Sequence, residues 1–336
     1  MTPTTPLHEN RTGARPRGLA WFRRLTTLRT SGLVWVLLVM VIAATMVNQA
    51  FISPFNLVNV MRQMALFGIV SIGMTMVILT AGIDLSVGSV VAVSAVVCAK
   101  MLDAGLPIPS VVLAGLVIGA FCGSINGVGV TLGRVPPFIM TLGMMVVARG
   151  SAMTISGGHP VHFREASESF SWLGQGILLG IPVPVWVFAL VAFTAWFVLR
   201  YTAFGRNVYA VGSNPEAARL SGINVKLTIF LVYVISGLLA GLTALIFISR
   251  LTVGEPVVAT GLELEAIAIT VIGGTSLFGG EGSIIGTVLG AAIITVLANM
   301  LNLFGVSPFT QQIVKGVIIV AAVLFEMYRR NRNSAK

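Results

Sequence analysis

From Gly73 to Val97 the chain reads GMTMVILTAGIDLSVGSVVAVSAVV, nearly all apolar, with one carboxylate, Asp84, set between Gly82 and Gly88. The run is long enough to cross a bilayer as helix. An ionisable group inside such a run is costly unless it faces protein, a cavity or the interface, which makes Asp84 a functional candidate. The flanking glycines let the backbone break, and N–H groups freed by the break need cover from protein or water. A soluble domain of this size carries about 25% charged residues, whereas this chain of 336 carries 10%, against 56% hydrophobic. Its apolar residues fall in repeated runs near or above the roughly 17–25 that span a membrane. The period-2 alternation of an outer-membrane barrel is absent. The fold class is therefore an all-α polytopic membrane protein.

Ten spans are expected, at about 33–49, 64–80, 85–102, 110–132, 137–154, 178–199, 227–248, 264–278, 284–301 and 309–327, with short Gly-rich runs as candidates for re-entrant segments. They make a transmembrane domain over 31–328, between a disordered basic tail at 1–30 and a second basic tail at 329–336. A basic amphipathic piece from Trp21 to Leu28 is expected to lie on the membrane surface. The first run follows a basic segment as a signal peptide would, but it has no A-x-A site and further spans follow, so it reads as an uncleaved helix. Phe51 to Asn59 reads as a loop, with turn chemistry at Ser53-Pro54 and Asn56. In the fourth run Gly115, Gly119, Gly123, Ser124 and Gly127 permit close helix approach.

The net charge of +10 does not point to nucleic acid. Of 21 basic residues, fifteen fall in the two tails, at Arg134, or in a central loop with Arg200, Arg206, Arg219 and Lys226. With ten spans, all of these lie on one side together with both termini, as the positive-inside rule requires of the cytoplasmic face. Arg62, Arg149 and Arg164 run against it. The polar connection at 155–177, with His159, His162, Arg164, Glu165 and Glu168, falls outside. The two histidines read as surface or protein-docking contacts rather than metal ligands. Cys98 and Cys122 read as small buried hydrophobes. No metal site and no cofactor is expected.

The most informative polar stretch is the loop 205–226, GRNVYAVGSNPEAARLSGINVK. Ser213 or Asn214 can cap a short helix with Pro215 at its first position and Glu216 near its positive end. Ala217, Ala218, Arg219 and Leu220 continue it and Gly222 stops it. By itself this is either a plain connector or a docking element.

NPEAARLSGINV looks like the cytoplasmic loop by which sugar permeases dock into a groove on an ATPase subunit. GIDLSVGS (Gly82–Ser89), GSINGVGVTLGRVPPFIMTLG (Gly123–Gly143) and IAITVIGGTSLFGGEGSIIGTVLGA (Ile267–Ala291) match in order as well. From about Phe55 to Tyr328 the chain resembles the membrane permeases of the ribose-type family of bacterial ABC sugar importers. The resemblance implies about ten transmembrane helices with broken or re-entrant segments, in an architecture like that of the vitamin-B12 permease, a type II importer. It implies two ATP-binding subunits, a periplasmic sugar-binding protein, a second permease copy or paralogue, and residence in a bacterial inner membrane. The chain would then be a permease and not an enzyme, translocating a monosaccharide or related polyol by alternating access while a partner hydrolyses ATP. The lysines agree: none of Lys100, Lys226, Lys315 and Lys336 sits in G-x-x-x-x-G-K-[ST].

Within that reading Asn214, Pro215, Glu216, Ala217, Ala218, Arg219, Leu220 and Gly222 form the coupling element. Asp84, Ser86, Ser89, Asn126 and Asn299 are candidates for the path or gate. Asp84 has a second reading as a helix cap, and the two asparagines one as interhelical hydrogen bonders. Glu255, Glu165 and Glu168 are candidates for docking the binding protein; Glu255, Glu263 and Glu265 read as docking or outer-gate residues or, equally, as ordinary interfacial charges. Lys315 either snorkels or pairs, Glu326 being too far along its helix. The competing class is an ion-coupled secondary carrier, for which Gly82–Leu85 and Gly273-Gly274 offer faint two-half symmetry. An intramembrane enzyme would need clustered catalytic groups that the spans lack.

Overall fold

The computed structural model describes residues 28–163 and 168–334; the expected tail before Leu28, the amphipathic piece at Trp21, and Arg164 and Glu165 lie outside them. In hydrocarbon no water satisfies backbone N–H and C=O groups, so each apolar run closes its hydrogen bonds internally, and all ten expected runs fall on helices. These are α1 (Leu28–Val47), α2 (Pro54–Leu79), α3 (Val87–Asp103), α4 (Ile108–Thr131), α5 (Pro137–Ser156), α7 (Val183–Tyr201), α10 (Val225–Leu251), α11 (Leu262–Ile272), α12 (Ile284–Leu303) and α13 (Pro308–Ser334). Shorter helices are α6 (Glu168–Gln175), α8 (Ala203–Ser213) and α9 (Pro215–Leu220). Two small antiparallel pairs complete it, β1 (Val161–His162) with β4 (Val253–Gly254), and β2 (Ile177–Leu178) with β3 (Ile181–Pro182).

Among the described residues, 6 helices are long and apolar enough to cross a membrane: α2, α4, α5, α7, α10 and α12. Along their apolar stretches α2 is 78% buried and α10 61%, whereas α5 is only 22% buried. The first two are thus the hub of the bundle, and α5 lies at its periphery.

Three boundaries differ from expectation. Phe51–Asn59 is not a loop: a 3₁₀ turn at Gln49–Ile52 leads directly into α2. The Ser53 hydroxyl accepts from the Asn56 N–H at 3.3 Å, and Pro54 takes the first helical position, so the same residues that suggest a turn start a helix. The eighth run stops at Ile272 instead of 278. Eleven residues cover about 16 Å, half of a bilayer core of roughly 30 Å. The Gly-rich loop 273–283 follows it, with Gly280 N–H donating to the Leu79 carbonyl at 3.0 Å and the Tyr209 hydroxyl to the Gly282 carbonyl at 3.0 Å. The loop 205–226 is mostly helix, α8 and α9 in succession.

The tightest helix pair is α4 against α10. Gly115, Gly119, Gly123 and Gly127, spaced by four, lie on one face of α4 and meet the backbone of α10. A Cβ on Gly119 would run into the Gly237 carbonyl oxygen, and one on Gly237 into that of Gly119; a Cβ on Gly241 would meet the Gly115 carbonyl oxygen, whereas one on Gly115 would meet the Leu245 side chain. Small residues here let two backbones touch, which is what binds helices where no hydrophobic effect acts between them.

Contacts define two ends of the bundle. One gathers residues 79–82, 132–136, 202–224 and 273–283, through the bonds just given and the approach of Gly212 to the Leu79 carbonyl; just inside it Thr141 Oγ1 donates to the Ile83 carbonyl at 3.1 Å. The other gathers residues 48–53, 157–163, 168–182, 252–261 and 304–307. There Gly174 N–H donates to Ser249 Oγ at 2.7 Å and Asn48 Nδ2 to the Leu303 carbonyl at 3.5 Å.

Candidate functional site

α2 ends at Leu79, Ala81 takes a left-handed φ of 60°, and the chain runs non-helically to Val87. This break holds Asp84 in the interior, at 1% exposure. Ser86 donates to Asp84 Oδ1 from both its backbone N–H (3.0 Å) and its hydroxyl (2.6 Å). The Ser236 hydroxyl, from the middle of α10, donates to Oδ2 at 2.9 Å. Asn126 Nδ2, from α4, donates to Ser86 Oγ at 2.9 Å. A carboxylate accepting several such donors is satisfied without a cation beside it.

Three of the candidate path residues, Asp84, Ser86 and Asn126, thus form one buried cluster. Ser89 is buried one turn into α3. Asn299 is elsewhere: it exchanges reciprocal amide bonds with Asn56 at 2.7 and 3.0 Å, clasping the start of α2 to the end of α12 at the opposite end. Asp84 is not the N-cap itself. Ser86 occupies that position, and Asp84 holds the Ser86 N–H two residues on, as an Asx turn leading into α3. Two polar atoms of the cluster remain unmatched among the described residues, Asn126 Oδ1 and the Tyr233 hydroxyl, the latter packed against Gly82.

The sequence reading missed Ser236 and Tyr233. It also missed a hydroxyl ladder between helices, in which Thr75 Oγ1 lies 2.7 Å from Thr287 Oγ1 and 3.4 Å from Thr270 Oγ1. An isolated Ser or Thr in an apolar run carries no local signal of its partner, because it can bond its own i−4 carbonyl. Thr75 does that too, donating to the Ser71 carbonyl at 2.7 Å.

The second site is exposed. Asn214 is the N-cap of α9, its Oδ1 accepting from the Ala217 N–H at 3.0 Å, with Pro215 at the first position. Arg219 reaches back to Glu216 at 2.9 Å. Ala218 is buried against the bundle while Leu220 is 81% exposed, and Gly222 turns the chain with φ +83°. An exposed leucine beside an ion pair, on a helix held at both ends, is a rigid projection from this end of the bundle.

At the opposite end the charges that defy the positive-inside pattern hold loops in place. Arg149 donates to the carbonyls of Pro256 and Val258 at 2.7 and 2.9 Å, and Arg62 to that of Gln175 at 2.5 Å. Lys315 pairs with Glu265, joining α13 to α11. Glu263 lies against Gly88, with Oε2 unmatched among the described residues. Glu255 is half-buried, His159 and His162 are exposed, and Glu168 opens α6.

A family model described as branched-chain amino acid transport system / permease component matches residues 56–323. The ribose import permease protein RbsC of Escherichia coli K12 is 43% identical over 311 residues, covering 92% of this chain and 97% of that protein. Its Bacillus subtilis counterpart is 43% identical over 290 residues, 86% and 90% of the two chains. The L-arabinose ABC transporter permease protein AraH of Azospirillum brasilense is 37% identical over 323 residues, 96% and 93%. No solved structure matches the chain.

Proposed function

The chain belongs to the family of branched-chain amino acid transport system / permease components, and from that premise we infer that it is the transmembrane permease subunit of an ATP-binding-cassette importer for a monosaccharide. The observation that carries this reading is the 43% identity to a ribose permease along nearly the whole of both chains. The family description names amino acids, but the relatives aligned end to end are named for ribose, arabinose and fructose. Which sugar is carried is decided mainly by the separate binding protein that delivers it.

In the assembled importer, ATP hydrolysis belongs to partner subunits and solute capture to a periplasmic binding protein. A second permease copy or paralogue completes the pathway. We assign the α9 end, with both termini, to the cytoplasm, in keeping with the basic residues gathered there. We read all ten apolar helices as membrane elements in a type II importer-like arrangement, with α11 and its Gly-rich loop together making one passage. Asn214 to Leu220, with Gly222, transmits closure of the ATPase subunits; the double capping and exposed Leu220 support this role, since a lever must be stiff and accessible. At the other end Glu255, Glu165 and Glu168 receive the binding protein, and Glu263 and Glu265 flank the outer gate.

Asp84, Ser86, Ser89 and Asn126 line the interior break where path and helix packing meet, and Asn299 belongs to the outer clasp. The break is the element that changes shape, because its backbone is not locked into helix. Alternating access then requires two arrangements of the bundle around it. Affinity purification of the tagged chain in mild detergent, with mass spectrometry of its companions, tests the assignment. Recovery of an ATP-binding subunit is expected. A chain that reproducibly comes out alone refutes the importer reading.

A further inference from the structure

α7 and α12 leave a groove of about 290 Å³ between them, lined by Ala192, Phe193, Trp196, Ile284, Val288 and Leu289 among others, all apolar. Phe193 is exposed and Ile284 buried, so the groove opens sideways from the bundle. Its depth is fixed by sequence: it lies along the last turns of α7 and the first turns of α12, next to the α8–α9 end. Arg200 stands four residues beyond Trp196 in the last turn of α7, hence on the same helix face one turn further out. It is exposed and makes no side-chain hydrogen bond or ion pair among the described residues. Its charge acts on Tyr209, whose phenol is raised by burial and pulled the other way by Arg200. Tyr209 in turn donates to the Gly282 carbonyl, two residues before the groove begins at Ile284. Trp196 and Phe197 both pack on Tyr201 with ring centroids 5.4 Å apart, an aromatic cluster at the depth where such side chains mark the edge of the bilayer.

We propose that this is a binding site for one anionic phospholipid, its acyl chain in the α7/α12 groove and its phosphate on Arg200. Groove and guanidinium match the two halves of that molecule and stand one helical turn apart, as chain and headgroup do. A second protein helix in the groove would leave the cation unmatched. Glu281, on the loop before Ile284, keeps the end from being uniformly basic, so selection between lipids falls to Arg200. The proposal rests on α7 spanning the membrane, and not on which sugar or ATPase the importer uses.

The test is to reconstitute the full importer in vesicles of equal dioleoylphosphatidylglycerol and dioleoylphosphatidylcholine, extract it gently, and quantify retained lipid by mass spectrometry. Wild type should retain phosphatidylglycerol in preference. Arg200→Gln should lower that preference about fivefold, the value of about 1 kcal/mol per basic side chain at a lipid surface, and Arg200→Lys should restore it. Val288→Phe, filling the groove, should reduce retention of both lipids. Equal retention of the two lipids by wild type, meaning an unspecific lipid belt, overturns the site. So does an Arg200→Gln variant indistinguishable from wild type, or a Val288→Phe variant that alters oligomeric state but not lipid content. Loss of the ATP-binding partner would instead count against the importer assignment and leave the lipid result readable.

Discussion

Replacing Asp84 separates a packing role from a transport role. In Asp84→Ala the Ser86 N–H, the Ser86 hydroxyl and the Ser236 hydroxyl lose their acceptor in a buried site. The N–H is fixed by the backbone and carries the full cost of an unmatched buried donor, about 1–3 kcal/mol. Each hydroxyl can rotate towards another acceptor and loses less, roughly 0.5–1 kcal/mol. The sum is about 2–5 kcal/mol, a large part of the stability of an ordinary domain. Asp84→Asn keeps Oδ1 for both Ser86 donors and turns only the Ser236 bond around, so about 1 kcal/mol is expected. A fluorescent-protein fusion, heated in detergent and followed by size-exclusion chromatography, reads the difference. Asp84→Ala should lose its monodisperse peak well below wild type, and Asp84→Asn should stay close to it. A stable Asp84→Ala protein with wild-type melting behaviour and no sugar uptake would refute the packing argument and leave Asp84 as a solute contact.

The α4/α10 seam predicts that Gly237→Val, which drives a side chain into the Gly119 backbone, costs upwards of about 3 kcal/mol and abolishes monodisperse protein. Gly143→Ala, whose Cβ would meet nothing within 4 Å, should be silent in the same assay. Glu216→Ala and Arg219→Ala should uncouple ATP hydrolysis from uptake in reconstituted importer without altering melting, since an exposed ion pair contributes about 0.5 kcal/mol; normal uptake in both variants removes the coupling role. Lys315→Met strands Glu265 in a half-buried site and should lower stability by about 2 kcal/mol. The double variant Glu265→Gln/Lys315→Met should recover most of that loss, and failure to recover would mean that Lys315 acts through packing of its stem.

What the sequence discloses depends on how far apart the interacting groups lie along the chain. The α9 helix is legible because its signals are local: cap, proline, acidic residue in the first turn and terminal glycine sit within nine residues. Local signals also misled at Ser53-Pro54, where a turn and a helix N-terminus share one chemistry and only the hydrogen bond to Asn56 decides between them. The eighth run misled in a second way, since hydropathy continues past Ile272 although the glycines at 273 and 274 have already ended the helix. The partner of Asp84 could not be read at all, because Ser236 follows it by 152 residues and is one hydroxyl among many.

The misplaced arginines show what such a residue does disclose. Arg62 and Arg149 break the charge pattern expected of their side; Arg149 donates to the loop carbonyls of Pro256 and Val258, and Arg62 to the last carbonyl of α6. A cation left there against the topological bias therefore marks backbone carbonyls nearby that lie outside a helical ladder. The same reasoning applies to Asp84, whose donors come from the one stretch between α2 and α3 where helical bonding is interrupted, and from α10 across it. A polar side chain inside an apolar run therefore announces a break in the helical hydrogen-bond ladder close by, and the fold supplies which break it serves.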